Sequence, residues 1–389
     1  MSAPEALSAF SAEERRALVE TVERFAREAV APNVTAWDEA GEFPRELYRQ
    51  AGDLGLLGLG YPAALGGTPA PWSVRNAVSQ ALARAGGSGG FMASLFSLNI
   101  GLPPLMAHGS AALQQAVVPA VLRGEKIAAL GITEPGGGSD VAALKTSALL
   151  EDDHYLVNGE KVFITSGMRC DWLTLAVRTT PHSKGASGIS MLLVDCNAPG
   201  VSRTRLDKMG WLCSDTAHLR FDNVRVPAAN LIGEEGDGFR IIMGNFNGER
   251  LAMSAMALGF AQACFDEALA WARQRQTFGA PLIERQVIRH KLMDMQMRIQ
   301  STQAWVDALG YRADQGDTGP DWVAQVCLLK NHATQAMQYC ADAAVQILGG
   351  MGYMRGTVSE RLYREVKVMM IGGGAEEIMK DLAARQSGL

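Results

Sequence analysis

The sequence predicts a mostly helical α+β protein of three successive domains: helical, antiparallel β, then a helical bundle. Three observations carry that reading. Thirteen of the 15 prolines fall at or before Pro227, which leaves the last 162 residues nearly free of helix breakers. Apolar residues in that tail recur at helical spacing over long stretches. The middle of the chain instead holds short runs rich in β-branched and aromatic residues, bounded by turn signals.

The elements follow in order. Ser11-Ala-Glu-Glu14 has the capping-box pattern that opens a helix, and Ala31-Pro32 closes it. A second helix is expected near Pro44, within a helical domain spanning 1–123. The domain 124–236 reads as antiparallel β. Its strongest signal is His154–Val157, then Asn158-Gly159, then Glu160–Thr165, a pattern that predicts a hairpin turning at Asn-Gly. Trp172–Val177, Ile189–Val194 and His218–Val226 add further strands. The domain 237–389 begins with a helix over about 239–274. Ile288, Leu292, Met295, Ile299, Val306 and Leu309 form the apolar stripe of the next helix, with Met293 and Met297 read as core beside it. Val323, Val326, Cys327, Ala333, Met337, Cys340 and Ala344 form that of another. Ala313–Pro320 is the turn between these two antiparallel helices.

Composition excludes several classes. The 389 residues are 48% hydrophobic and 20% charged, ordinary globular values that argue against a disordered chain. The net charge is −5 with no basic stripe, so no nucleic-acid partner is expected. The six cysteines stand singly, without metal-ligand or redox spacing, so no metal site is expected. Free cysteines fit a cytoplasmic location. Met1-Ser-Ala-Pro-Glu5 lacks the pattern of a signal peptide, and no apolar run is long enough to predict a membrane span. Glycine is in excess: 42, against about 27 at ordinary usage. Such an excess fits either many turns or backbone brought close to a ligand.

The densest glycine motif is Gly131-Ile-Thr-Glu-Pro-Gly-Gly-Gly-Ser-Asp140. Taken alone, it reads equally as a plain turn or as a backbone cradle for an anion. It lacks the lysine of a phosphate-binding P-loop and the spacing of a dinucleotide fingerprint. Through Ala143 it resembles a signature of the acyl-CoA dehydrogenase family at every specified position. A second signature of that family is matched by Gln346-Ile-Leu-Gly-Gly-Met-Gly-Tyr353, continuing to Arg361 and Glu365, with a departure at Gly356. Pro62–Gly67, Phe221–Pro227 and Arg275–Gly279 extend the resemblance in the family's order over nearly the whole chain. The family fold it implies is a helical domain, a β domain and a C-terminal four-helix bundle.

The resemblance also implies FAD as cofactor and assigns its contacts by position. Leu130, Ile132 and Thr133 would meet the flavin ring. Gly138 and Ser139 would lie by the pyrophosphate, with Ser139 also near the CoA of the substrate. Thr165 would stand near flavin N5, and Phe163 takes a stacking position where relatives often have Trp. Gln346 and Gly350 would contact the adenosine portion, and a neighbouring subunit would supply Arg275 and Phe278. Gln286, Ala375 and Glu377 also fall at positions that meet FAD in the family. This sharing between subunits implies an oligomer, in the family usually a homotetramer, with an electron-transfer flavoprotein as electron partner.

The family's usual base is a Glu near the C-terminus. Here Gly373 stands in its place, within Gly372–Gly374. The isovaleryl and long-chain branches carry Gly at that position and a Glu in a Glu-Arg pair earlier in the chain. Asn247-Gly-Glu-Arg250 supplies such a pair, which assigns the base to Glu249, with Glu376 and Glu377 as rivals. By the same resemblance Asn247 and Arg250 would contact CoA, and the Gly373 N–H would bind the thioester carbonyl. Restoring a Glu at Gly373 is then expected to rescue part of the loss from Glu249→Gln. The expected reaction is α,β-dehydrogenation of a long-chain or branched acyl-CoA, the three glycines leaving room for the acyl chain. An acyl-CoA oxidase-like flavoenzyme and a catalytically silent flavin- or CoA-binding homologue remain alternatives.

Overall fold

The computed structural model describes residues 10–389. The signal-peptide expectation for Met1–Glu5 therefore lies outside the described residues. Helix α1 (Ala12–Phe25) opens at Ser11, whose hydroxyl accepts the Glu14 N–H while the Glu14 carboxylate accepts the Ser11 N–H. A π-helical turn, Ala26–Val30, ends it. Helices α2 (Val34–Ala40), α3 (Glu46–Asp53), α4 (Trp72–Gly86), α5 (Gly89–Leu95), α6 (Leu98–Gly101), α7 (Pro103–His108) and α8 (Ala111–Leu122) complete the N-terminal part.

Eight strands follow: β1 (Ala128–Gly131), β2 (Ser147–Glu151), β3 (His154–Thr165), β4 (Trp172–Arg178), β5 (Ile189–Asp195), β6 (Val201–Arg205), β7 (Thr216–Pro227) and β8 (Leu231–Ile232). They form one sheet in the order β6-β7-β3-β2-β4-β5-β8, with β1 paired to β4. The antiparallel expectation needs correcting around β4, which pairs in parallel with both β1 and β2.

The Asn158-Gly159 hairpin is also corrected. β3 runs straight through both residues, and the chain turns earlier, at Asp152-Asp153 between β2 and β3. Gly159 does take a positive φ, of 143°, but as part of a bulge against β7. A β-carbon there would stand 2.7 Å from Thr146 Cα, so glycine is required by close packing. Asn158 meanwhile bonds Asn223 across the sheet.

The bundle consists of α9 (Gly238–Gln274), α10 (Gln286–Asp314), α11 (Pro320–Leu348) and α13 (Val358–Ile371). A two-residue hairpin, β9 (Gln276–Thr277) with β10 (Ala280–Pro281), joins α9 to α10. The short α12 (Gly350–Tyr353) precedes α13, and α14 (Glu376–Gln386) ends the chain. Of the three alternating methionines on α10, only Met295 is buried; Met293 and Met297 are exposed, because odd positions two apart cannot share one helical face.

One buried ionic junction ties the three parts together. Arg361 of α13 bonds Asp38 of α2 at 3.1 Å, and Asp38 accepts the Cys213 N–H from the β domain. Glu365, one turn on, accepts the N–H groups of Gly89 and Gly90 at the start of α5. Burial pushes its carboxyl up to about 7, and Asp38 adds to the effect. Among the described residues, no single helix is long and apolar enough to cross a membrane.

Candidate active site

Glu249 lies about three turns into α9, where the helix passes the loop joining α13 to α14. Its Oε1 is 3.9 Å from where a β-carbon on Gly373 would stand. Its Oε2 is shut off from solvent and has no hydrogen-bond partner. Such a carboxylate is costly to ionise, and its pKa is pushed up to about 7. Burial is the main cause, opposed by the nearby Arg250 and Lys330. A free carboxyl oxygen with a pKa near neutrality is what proton abstraction requires.

The facing loop complements it. Gly373 sits at φ +67° and Gly374 at φ +113°, values that favour glycine. Among the described residues the Gly373 N–H has no acceptor, whereas the Gly373 carbonyl accepts from Arg250 Nε at 3.0 Å. Of the rivals, Glu376 accepts from Gln335 at 3.1 Å and lies by Lys380 through Oε2. Its Oε1 is, like Oε2 of Glu249, buried without a hydrogen-bond partner among the described residues, but unlike Glu249 it is not set against Gly373. Glu377 is exposed on the first turn of α14. Ala375 is the N-cap residue of that helix, with no side chain to offer a hydroxyl.

Two expectations change here. Arg250, expected on CoA, is only 5% exposed, and its guanidinium is taken up by the Gly373 carbonyl, Asn247 Oδ1 and the Cys327 sulfur. Asn247, also expected on CoA, is partly buried and turned toward Arg250. The glycine triplet, expected to leave acyl-chain volume, is largely filled. Met253 Cε stands 3.3 Å from the Gly373 β-position, and the end of Met379 occupies that of Gly374.

The predicted flavin positions fall into groups. Leu130, Ile132 and Thr133 lie at the end of β1 and beyond it, against β3. The Val162 N–H bonds the Thr133 carbonyl at 2.8 Å, and Lys161 Nζ bonds the Ile132 carbonyl at 3.0 Å. This brings them beside Phe163 and Thr165. Phe163 is forced outward by a second bulge, at φ +62° and 69% exposed. A tight turn bridging Glu134 and Gly137 then presents Gly138 and Ser139 to solvent. The turn is anchored by buried Glu134, which accepts from Lys161, Thr146 and Lys145. Arg275, Phe278 and Gln286 form a separate exposed group around β9–β10, and Gln346 and Gly350 another at the end of α11. No hydrogen bond or ion pair joins either group to Phe163 or Ser139 within one chain, among the described residues.

These surroundings fit a large planar cofactor. Two aromatic side chains, Phe163 and the 99% exposed Phe278, are held bare in left-handed backbone, a strain that is common at binding sites. A β-carbon at Gly136 or Gly350 would meet nothing within 4 Å, so the backbone there is open to approach.

Lys330 and Met253 were not singled out from the sequence, and Cys327 only as part of an apolar stripe. Lys330 left a signal: it interrupts the apolar stripe of α11 midway between Cys327 and Ala333. A lysine on a buried face needs polar partners, and these are found in the Gly374 loop.

Comparison with known proteins gives the family. The description "Acyl-CoA dehydrogenase, N-terminal domain" matches residues 12–125, the middle domain 129–224, and the C-terminal domain 236–388. The cyclohexane-1-carbonyl-CoA dehydrogenase of Geobacter metallireducens is 35% identical, over 97% of this chain and 98% of its own. The mitochondrial isovaleryl-CoA dehydrogenase of Oryza sativa subsp. japonica is 35% identical, over 94% and 89%. The crystal structure of a probable acyl-CoA dehydrogenase from Mycobacterium abscessus superposes with a TM-score of 0.93 at 46% identity, covering 97% and 99%. The chain belongs to the acyl-CoA dehydrogenase family, oxidoreductases that act on acyl-CoA.

Proposed function

We propose that the protein carries out FAD-dependent α,β-dehydrogenation of a branched acyl-CoA to the 2,3-enoyl-CoA, with Glu249 as the base. The observation that carries this reading is the unpartnered Glu249 carboxyl facing Gly373, where the loop offers a free N–H instead of a side chain. Glu249 removes the α-proton. The Gly373 N–H donates to the thioester carbonyl oxygen and stabilises the charge that develops there. FAD, when bound, supplies the acceptor for the β-hydrogen as hydride. Leu130, Ile132, Thr133, Gly138, Ser139, Phe163 and Thr165 would hold it, with Arg275, Phe278, Gln286, Gln346 and Gly350 contributed across a subunit boundary. Ala375 and Glu377 would border it at the start of α14.

Branched chains are favoured over long ones because Met253 and Met379 occupy the space beside the glycines. A thioether adapts to a compact branched group more readily than it opens a channel. The names of the two curated relatives support the same class. Bare Phe278 and the 87% exposed Tyr353 support assembly into a homotetramer, and six buried free cysteines suit the cytoplasm. Electrons would leave to an electron-transfer flavoprotein.

The test is anaerobic mixing with isovaleryl-, cyclohexanecarbonyl-, butyryl- and palmitoyl-CoA while flavin absorbance is followed. Bleaching by the branched thioesters supports the reading, and a sharp optimum at butyryl-CoA refutes the substrate class. No bleaching by any of them favours a silent homologue. Peroxide formed under air favours an oxidase.

A further inference from the structure

Lys330 is fully buried on α11 and has no carboxylate within ion-pair distance among the described residues. Its Nζ donates instead to two carbonyls, Met370 at 3.0 Å and Gly374 at 2.8 Å. The first belongs to the last turn of α13, where the helix has no N–H left to offer it. The second lies just past Gly373. Arg250 Nε holds the carbonyl between them, that of Gly373 itself. The turn carrying the free Gly373 N–H is thus fastened from two helices at three points.

We propose that Lys330 is a positioning residue for the α-proton transfer, fixing the Gly372–Gly374 turn so that the Gly373 N–H and the Glu249 carboxylate address the same acyl group. This rests on the assignment of Glu249 and Gly373 given above. Two successive residues with positive φ make no sheet or helix bonds of their own, so the path of this turn is set by what holds its carbonyls. An ammonium is expensive to bury, and a methionine would pack the same space at lower cost. Its retention is explained by the carbonyls it serves and by the favourable end of the α13 dipole.

The charge has a second effect. Lys330 faces Glu249 and Arg250 on α9, Cys327 on its own helix, and Glu376 at the start of α14. Its positive charge, with that of Arg250, opposes the burial that raises Glu249. Burial lowers Lys330 itself to about 8, which leaves it mainly charged at neutral pH.

The experiment compares Lys330→Met and Lys330→Gln with the wild type as full-length holoenzyme. FAD content, thermal midpoint, kcat, KM and the rate–pH profile are measured. For Lys330→Met we expect normal FAD content and a kcat lower by about 100-fold, the scale of an ångström-sized misplacement. KM should change much less. The acidic limb should move to higher pH, because a charge that favours ionised Glu249 has gone. Lys330→Gln can still donate to a carbonyl, so it should recover part of kcat without returning the limb. That split separates the clamp from the charge.

Wild-type kcat and an unmoved limb in Lys330→Met overturn the proposal. So does equal damage in both variants with loss of FAD and a collapsed midpoint, which marks a general packing role. If Glu249→Gln keeps the full rate, the base assignment itself has failed. If that variant is inactive while Lys330→Met behaves as wild type, only the role of Lys330 has failed.

Discussion

Glu249 Oε1 stands 3.9 Å from the β-position of Gly373, so a carboxylate carried by α9 comes within contact distance of where a side chain at 373 would begin. Glu249→Gln keeps the shape and removes the basicity. Flavin reduction by substrate should fall by about 10²–10⁴, the usual range for a lost general base. FAD content should stay normal. A stopped-flow trace with isovaleryl-CoA decides it, and a full rate in this variant would falsify the assignment.

Putting the carboxylate back at position 373 should help less than the sequence suggests. The left-handed backbone at Gly373 costs a non-glycine residue roughly 1–2 kcal/mol. Met253 Cε also lies 3.3 Å from the new β-carbon. Gly373→Glu in the Glu249→Gln background should therefore recover only a small fraction of the rate. Adding Met253→Ala should raise that fraction. The three rates, measured side by side, test whether packing at Met253 is the obstacle.

The pH dependence follows from the direction of the shift. Glu249 must be ionised to act, and burial has raised it from 4.5 to about 7. The rate constant kcat/KM should therefore fall about tenfold per unit below pH 7, where the carboxyl is neutral. For stability the sign is opposite. The fold favours the neutral carboxyl, so this contribution is complete below pH 4.5 and is lost as pH rises through 7. Above pH 7, Glu249→Gln should make the FAD-free protein more stable, by no more than about 3 kcal/mol. Urea titrations at pH 5 and pH 8 check both sign and window.

Arg361→Ala should be the most damaging substitution remote from the chemistry. It would strand buried Asp38, 9% exposed, and remove a partner from the neighbourhood of Glu365. Breaking a buried pair from one side costs about 3–5 kcal/mol. Denaturant unfolding measures the loss.

Lys161→Met tests the support beneath the flavin positions. Lys161 bonds both Glu134 and the Ile132 carbonyl, and Glu134 anchors the Gly136–Gly138 turn. Its removal should weaken FAD binding before it alters kcat in the loaded protein. Equilibrium dialysis of FAD, together with kcat at saturating FAD, separates the two.

Much of this molecule was legible in its sequence, and the failures have physical causes. The long helices were legible because a stripe such as Ile288–Leu292–Met295–Ile299 has one helical period and no breaker. Asn158-Gly159 correctly announced a positive φ, but a turn and a bulge demand the same backbone, and only the partner strand distinguishes them. That Glu249 and Gly373 lie close together was legible because the missing Glu at Gly373 directed attention to the earlier Glu-Arg pair. Arg250 was placed on CoA by its match to a family position, and a position in the chain does not show that three acceptors inside the fold take up its guanidinium. The three glycines were read as open space because a sequence does not show that Met253 and Met379 fold back across them. Lys330 and Lys161 lie in ordinary periodic segments, and their carbonyl partners come from residues far away in the chain.

The junction of Asp38, Arg361 and Glu365 has a consequence for how substrate gets in. Each of the three domains contributes a group to it, and none can swing away without exposing or stranding a buried charge. Closure by one domain swinging over a ligand would therefore break a buried ionic contact. On the proposed function, selection among acyl chains would then rest on the fixed walls beside Gly373 and on the side chains that pack there, Met253 among them.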